Sequence, residues 1–520
     1  MAGGKKKKSF TLIILLIVMI ALLGACFWLI KYNDKKAATK SEDSTAETTT
    51  IANVNADSIT TIHFKNADGE MTLVKGDDKT WKNSEDEAFP LNQTNAENMA
   101  KAFTDLTSSR TITEGIEDLS AFGLDKPVVT VTVTDKDGKE TSIALGSEAP
   151  VAGGYYAVLN GEKKVNIVPA GFYNSFNYTV TQMTAVESIP AITAANITHL
   201  MVENKDKPGF EILFDANKAA DFAGLTKWTM RQPYKKPLPA DADAVNTLLA
   251  NYSALTYTSC ADYNAADLSK YGLDNPAATV TLQYYEEYTK DSAKDGDNST
   301  SEGNTSDNNT NDGNTADQKE TEKTRINYSL DLLIGSKTPE GDYYVKSKDS
   351  KAVNTMSSDM VEKMINIDAY SNVDHYINLV NLDSIHQVDI NVGGKTYTIT
   401  TEKVPATSDE SQSGDDKETT NYYFNGTKSD EDAFKGLYQK IISPVTERDI
   451  PAEYFSSNAD QTPYMTLKYY LNDGGTIDIS YKPYDDSYYV VNSGGNEYFL
   501  TDMRVVNDIA KELETFTGKK

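Results

Sequence analysis

The side chains of this 520-residue chain best suited to chemistry are four histidines, two cysteines and 31 tyrosines. His63, His199 and His386 fall in three similar strand-like runs, four, two and one residues after equivalent isoleucines. Strict strand alternation puts His63 and His199 on one face and His386 on the other, so they are not expected to share a ligand. His375 stands apart from these runs, and neither H-x-x-H nor H-E-x-x-H spacing occurs, so no zinc site is predicted. Asp291, Asp295, Gly296 and Glu302 match positions 1, 5, 6 and 12 of a calcium loop. Position 3 is Ala293 and no helical pattern flanks the stretch, so it reads as a polar tether. A Gly-x-Ser-x-Gly elbow, a phosphate-cradling glycine loop and a dinucleotide fingerprint are all absent. The expectation is therefore no catalytic residue, no metal and no cofactor. An envelope hydrolase, the least favoured alternative, would need carboxylates gathered in a cleft.

Cys26 lies inside an uncharged run from Phe10 to Ile30, long enough as a helix to span roughly 30 Å of bilayer core. Lys5 to Lys8 precede it as a basic tail over residues 1–9, which the positive-inside tendency keeps in the cytoplasm. The expected arrangement is a single-pass membrane protein with its N-terminus cytoplasmic and the bulk of the chain extracytoplasmic. Leu22-Leu23-Gly24-Ala25-Cys26 also reads as a lipobox, giving lipidation at Cys26 as the alternative. The apolar residues Phe27 to Ile30 favour an uncleaved anchor. Cys260 then has no exported partner and is expected to be a small buried side chain. A formal charge of −27 and a sequence pI near 4.6 exclude nucleic acid as a partner of the folded part.

The tyrosines lead to a repeat. Tyr155-Tyr156, Tyr343-Tyr344 and Tyr488-Tyr489 are each followed, after at most one residue, by valine. Each pair belongs to a series that opens on a strand: Ile59-x-x-Ile62-x-Phe64, Ile197-x-x-Leu200-x-Val202 and Ile385-x-x-Val388-x-Ile390. Between strand and pair stands Asp118-Leu119-Ser120-x-x-Gly123-Leu124-Asp125-x-Pro127 in the first copy and Asp267-Leu268-Ser269-x-x-Gly272-Leu273-Asp274-x-Pro276 in the second. The third copy retains only Pro463 and the following Thr466-Leu467. Gly123, Gly272, Pro127 and Pro276 are read as structural: glycine for a positive φ or a close approach, proline to start a strand. Leu119 with Leu124, and Leu268 with Leu273, are expected to plug the sheet edge. In each tyrosine pair alternation puts one ring in the core and one at the surface, where the six could bind a glycan.

The elements that position these residues are strands and amphipathic helices. Helix-like spacing joins Met99, Phe103 and Leu106; Val245, Leu248, Leu249 and Tyr252; and Phe434, Leu437, Tyr438 and Ile441, with Asp241 and Asp430 at helix starts. Second helices are expected at Met360 to Ile365 and around Val505 to Phe516. The fold class is α+β: an N-terminal transmembrane helix, a linker over 31–56, and three tandem degenerate modules of antiparallel sheet with two packed helices each. The modules span 57–190, 191–378 and 379–520, with disordered insertions at 290–324 and 403–420. The separation of Pro276 from Gly335 exceeds that of Pro127 from Gly146, which places the first insertion in a loop between two neighbouring strands.

The opening strand, the tryptophan strands at Trp81 and Trp228, the Gly-Leu-Asp segment, the Leu145-Gly146-Ser147 turn and the Tyr-Tyr strand together resemble the bacterial domain-of-unknown-function 4340 family. That resemblance implies an anchored envelope protein associated with ABC-type transport components or gliding-motility auxiliary proteins, and carries over no catalytic residue. The reading is a non-enzymatic accessory or scaffold protein held to the membrane through residues 10–30 and working with an ABC-type transporter. A cell-wall polymer binder using the exposed tyrosines is the alternative.

Overall fold

A computed structural model describes residues 48–150, 153–216, 226–289, 323–405, 418–451 and 461–519. The apolar run 10–30, Cys26, the calcium-loop-like residues and most of both expected insertions lie outside the described residues. Among the described residues no helix is long and apolar enough to cross a membrane.

The chain divides into two compact units, Met1–Ala185 and Val186–Lys520. The first holds an eight-stranded sheet and a two-stranded one formed by Thr49–Ala52 with Leu106–Ser108; the second holds two nine-stranded sheets. Every pairing is antiparallel. In the first large sheet the strands run, edge to edge, Trp81–Asn83, Gly69–Lys75, Ile59–Asn66, Val129–Asp135, Glu140–Ala149, Gly154–Leu159, Val165–Pro169 and Arg110–Ile112. The second begins at Leu238–Pro239 and continues Trp228–Gln232, Phe210–Phe214, Ile197–Asn204, Ala278–Thr289, Lys323–Lys337, Tyr343–Ser347, Val353–Met356 and Ser259–Asp262. The third follows the same path from Thr427–Lys428 through Ile385–Val392, Met465–Leu471, Thr476–Pro483 and Tyr488–Ser493 to Arg448–Asp449. In all three the chain meanders from the central opening strand to one edge, passes through a helix and a short far-edge strand, and returns to pair with the opening strand. The expected repeat is therefore a repeat of sheet topology, and the fold is α+β.

The unusual i, i+3, i+5 spacing of the opening strands has a physical cause. The ladder slips between Ile59 and Thr61, between Ile197 and His199, and between Ile385 and Gln387. One extra residue at each slip turns the leading isoleucine and the residue three places on toward the same side. Ile59, Ile62 and Phe64 are accordingly buried, as are Ile197, Leu200 and Val202, and Ile385, Val388 and Ile390. Beyond the slip His63 and His199 alternate with the buried Ile62, Phe64, Leu200 and Val202, and so stand off the face of the leading isoleucines, which unbroken alternation would have given them; His386 sits within the slip and is exposed.

Helix Gln93–Lys101 is shorter than its pattern suggests: Phe103 lies beyond its end and Leu106 belongs to a strand. Both are still buried, because the chain folds back over the same core. Helix Ala242–Ala250 buries Val245 and Leu249, with Tyr252 just past its end; helix Glu431–Ile441 buries Phe434, Leu437, Tyr438 and Ile441. Asp241 and Asp430 cap these helices, accepting from the Ala244 and Ala433 amides at 2.7 and 3.0 Å. Helices Ser358–Ile365 and Met503–Thr515 cover the second and third sheets. Strands Ala278–Thr289 and Lys323–Lys337, which flank the first insertion, pair directly from Ala278 opposite Ile334 to Thr289 opposite Lys323. Lys403–Pro405 and Glu418–Thr420, at the margins of the other insertion, are strand residues paired with each other.

Candidate functional site

The Gly-Leu-Asp segments are built as architecture. Asp118 and Asp267 accept the Ser120 and Ser269 amides at 2.9 and 3.1 Å, and bonds from the serines hold both carboxyls below the usual range. Each caps a short 3-10 turn, Leu119–Phe122 or Leu268–Tyr271, that ends on a left-handed glycine: Gly123 at φ 69° and Gly272 at φ 66°. The Leu124 and Leu273 amides close back on the Leu119 and Leu268 carbonyls at 3.0 Å, which turns the second leucine inward. Leu124 and Leu273 are buried, whereas Leu119 is exposed and Leu268 only half-buried, so one leucine of each pair is the plug. The first points outward because it opens the turn. The turn lies against Gly146 or Gly335: a Cβ on either would collide with the Phe122 or Tyr271 carbonyl oxygen. Ser147 and Ser336 donate their hydroxyls to those same carbonyls at 3.1 Å. Pro127 and Pro276 stand just ahead of the strands; the following Val128 and Ala277 amides make the first bonds, to Leu145 and Ile334 at 2.8 Å.

The six paired tyrosines are all engaged by neighbouring side chains. Tyr155 stacks on Tyr173 with centroids 4.2 Å apart. Tyr156 and Tyr344 meet Phe122 and Tyr271 edge-on at 5.0 Å, so the second ring of each pair rests on the aromatic that precedes the motif glycine. In the third sheet Tyr489 is buried and stacks on Tyr464 at 5.1 Å. Lys337 lies over Tyr343, and Arg448 lies over Tyr488 and donates to its hydroxyl.

Among the described residues no group of three histidine, cysteine or acidic side chains is placed to hold a metal. His63 contacts Thr72 and Glu70 at 2.9 and 3.2 Å, and His199 contacts Glu211 at 3.0 Å. Cys260 is buried in an edge strand, and burial, with Glu187 and Asp262 nearby, pushes its thiol up to about 11, away from nucleophilic use.

A concave site of the second unit lies elsewhere, at the junction of its two sheets. A pocket of about 200 Å³ opens there between Leu238 and Pro239 of the second sheet, the connecting stretch at Asp374 to Leu379, and Val491, Tyr498 and Phe499 of the third. An aromatic cluster fixes the junction. The Tyr234 ring lies 5.2 Å from Tyr498 and 5.3 Å from Phe499, and its hydroxyl donates to Asp449 at 2.8 Å. Tyr370 stacks on His375 at 4.5 Å and packs on Phe499 at 5.7 Å. The Tyr498 hydroxyl accepts the Lys236 amide at 3.0 Å, and the Lys236 ammonium reaches the Gly494 carbonyl at 3.4 Å. Burial raises the carboxyls of Asp374 and Asp449. Sequence reasoning did not find this site. Its one signal was the density of Tyr370, His375 and Tyr376 at the end of the second module.

The family described as domain of unknown function (DUF4340) matches residues 81–221 and 228–441. The chain belongs to this family. Both matched segments open on a tryptophan strand residue, Trp81 and Trp228, at equivalent places in the first two sheets, and the second match runs on through helix Glu431–Ile441 of the third. No curated protein and no solved structure matches the chain.

Proposed function

We propose that this chain is a non-enzymatic accessory or scaffold protein of the bacterial envelope, held at the outer face of the cytoplasmic membrane by its apolar segment 10–30 and working with an ABC-type transporter. The observation that supports it best is the threefold use of one sheet topology in which the repeated motif residues serve the fold itself. Gly123, Gly146, Gly272 and Gly335 accommodate a turn lying against a strand, and the leucines, serines and aromatics around them complete that contact. A motif spent in this way leaves presentation of surface, rather than a reaction, as the role of the repeat. Glycan binding through Tyr155, Tyr156, Tyr343, Tyr344, Tyr488 and Tyr489 is the weaker reading, since every one of those rings already carries a neighbouring ring or cation of the same chain. Affinity purification of the full chain from membranes in mild detergent tests the proposal. Transporter subunits should be recovered in fixed stoichiometry, and a chain that elutes alone at every ionic strength would overturn it.

A further inference from the structure

The junction pocket has a chemical character of its own. Its walls are apolar, with Leu238, Pro239, Ile377 and Val491, and aromatic rings stand at it in Tyr498 and Phe499. Beside it Tyr376 and Val445 face one another in an isolated bridge and are both exposed, Tyr376 at 53%, an apolar rim that the fold leaves uncovered. The volume exceeds the roughly 150 Å³ of an apolar cavity that accommodates benzene. The wall is not wholly apolar: Asp374 lines it, with Thr226, Asn378, Thr446, Ser493 and Asn496. One Asp374 oxygen accepts the Tyr376 amide at 2.9 Å, and no cation forms an ion pair with this carboxyl among the described residues. The nearest charges acting on it are Asp241, which opposes its ionisation, and His375, which assists it. The Lys236 ammonium is held at the Gly494 carbonyl and does not serve Asp374.

A half-buried carboxylate without a cation, set among aromatic rings and aliphatic walls, matches the two ways proteins hold organic cations: charge pairing and attraction to the ring face. The net charge of −27 raises the local concentration of cations around the whole chain. We infer that the pocket between the second and third sheets binds a small organic ammonium ion, an aromatic or branched aliphatic body carrying one amine. Asp374 receives the ammonium, and the apolar wall with Tyr498 and Phe499 receives the body. This inference goes beyond the scaffold reading and stands without it.

Three probes of one shape and different charge separate charge recognition from simple apolar filling: 2-phenylethylammonium, 2-phenylethanol and phenylacetate. Titrated calorimetrically into the full chain held in lipid nanodiscs, the ammonium should bind at least tenfold more tightly than the alcohol, and phenylacetate most weakly. Asp374→Asn, which keeps the shape and can still accept the Tyr376 amide, should abolish the preference for the ammonium and leave the alcohol unchanged. Ser493→Trp, which puts a large ring in place of a small lining residue, should remove binding of both. Asp449→Asn, at a neighbouring acid bonded to Tyr234, should leave all three affinities unchanged. Equal binding of ammonium and alcohol, or an ammonium affinity that survives Asp374→Asn in a folded variant, would overturn the assignment.

Discussion

The first two sheets and the third solve the same packing problem differently. In the first two, Val129 lies opposite Leu145 and Ala278 opposite Ile334, and the next residue is Gly146 or Gly335. In the third, Met465 lies opposite Tyr481, and the next residue is Lys482. The glycines are needed because the Gly-Leu-Asp turn crosses directly over the strand at that point. The third copy has no Gly-Leu-Asp sequence ahead of Met465; there Tyr464 stacks on Tyr489, and Lys482 pairs with Glu497 at 2.7 Å, with both side chains largely buried. Strand order survives the exchange, so the motif is one way of sealing the sheet and not a condition of its topology.

Importing the third sheet's residue into the second should have the largest effect. Gly335→Lys drives a Cβ into the Tyr271 carbonyl and toward Leu273, and should cost about 3 kcal/mol or more, read as an early loss of the second unit in chemical denaturation. The reverse change, Lys482→Gly, meets no such clash and should cost about 1 kcal/mol. Similar losses for the two would erase the distinction drawn between the sheets. Gly123→Val comes next. At φ 69°, with the Ser147 amide nitrogen only 2.8 Å from where a Cβ would stand, it should cost roughly 2 kcal/mol in the first unit. Asp125→Asn, two residues on, should change thermal stability by under about 0.5 kcal/mol, as for most exposed positions.

This contrast also shows what was legible in the residues. The opening strands, the plug positions Leu124 and Leu273, the capping aspartates Asp241 and Asp430, and the strand-flanked insertion could all be read from spacing, because each depends on contacts close in sequence or on a repeated register. Two features were not legible. The bulge in the opening strands is a property of pairing with a distant strand, so the faces of His63 and His199 relative to Ile59 and Ile197 were read from an alternation that the ladder interrupts. The junction pocket draws on residues as far apart as Leu238, Asp374 and Phe499, and no local pattern brings them together. The tyrosine pairs lie between these cases: their strand was evident, but the rings that cover them come from the turn before the motif glycine, from Tyr173, or from Tyr464.

A smaller effect separates the third sheet by pH. Burial pushes the Glu497 carboxyl up, but bonds from Lys482 and Asn492 and the Lys482 charge outweigh it, and the net position is below the usual range. A carboxyl lowered by folding adds stability above its unfolded value, about 4.3, and that stability disappears as pH falls through the folded value. Glu497→Gln should therefore lower the melting temperature of the second unit at pH 7 by a few degrees and have little effect near pH 2. A difference that persists unchanged into acid would show that the pair acts through packing instead of charge.

The smallest effect is expected where the second sheet departs most visibly in length. Its central hairpin has strands of 12 and 15 residues, against 7 and 10 in the first sheet and 7 and 8 in the third. The ladder runs without a slip from Ala278 opposite Ile334 to Thr289 opposite Lys323, so residues 290–322 connect two positions that are already neighbours. Nothing in the register requires their length. Replacing 290–322 by Asn-Gly supplies a two-residue turn whose twist suits the flanking strands, and shortens the loop that folding must close. The closure term favours the shortened chain by about 2.5 kcal/mol, largely offset by fixing the turn. The expected result is one cooperative transition in the second unit, with a midpoint equal to or slightly above that of the parent chain. If cooperativity is lost instead, the segment contributes to folding of the second sheet, and the extended hairpin is not a simple elaboration of the one found in the first and third.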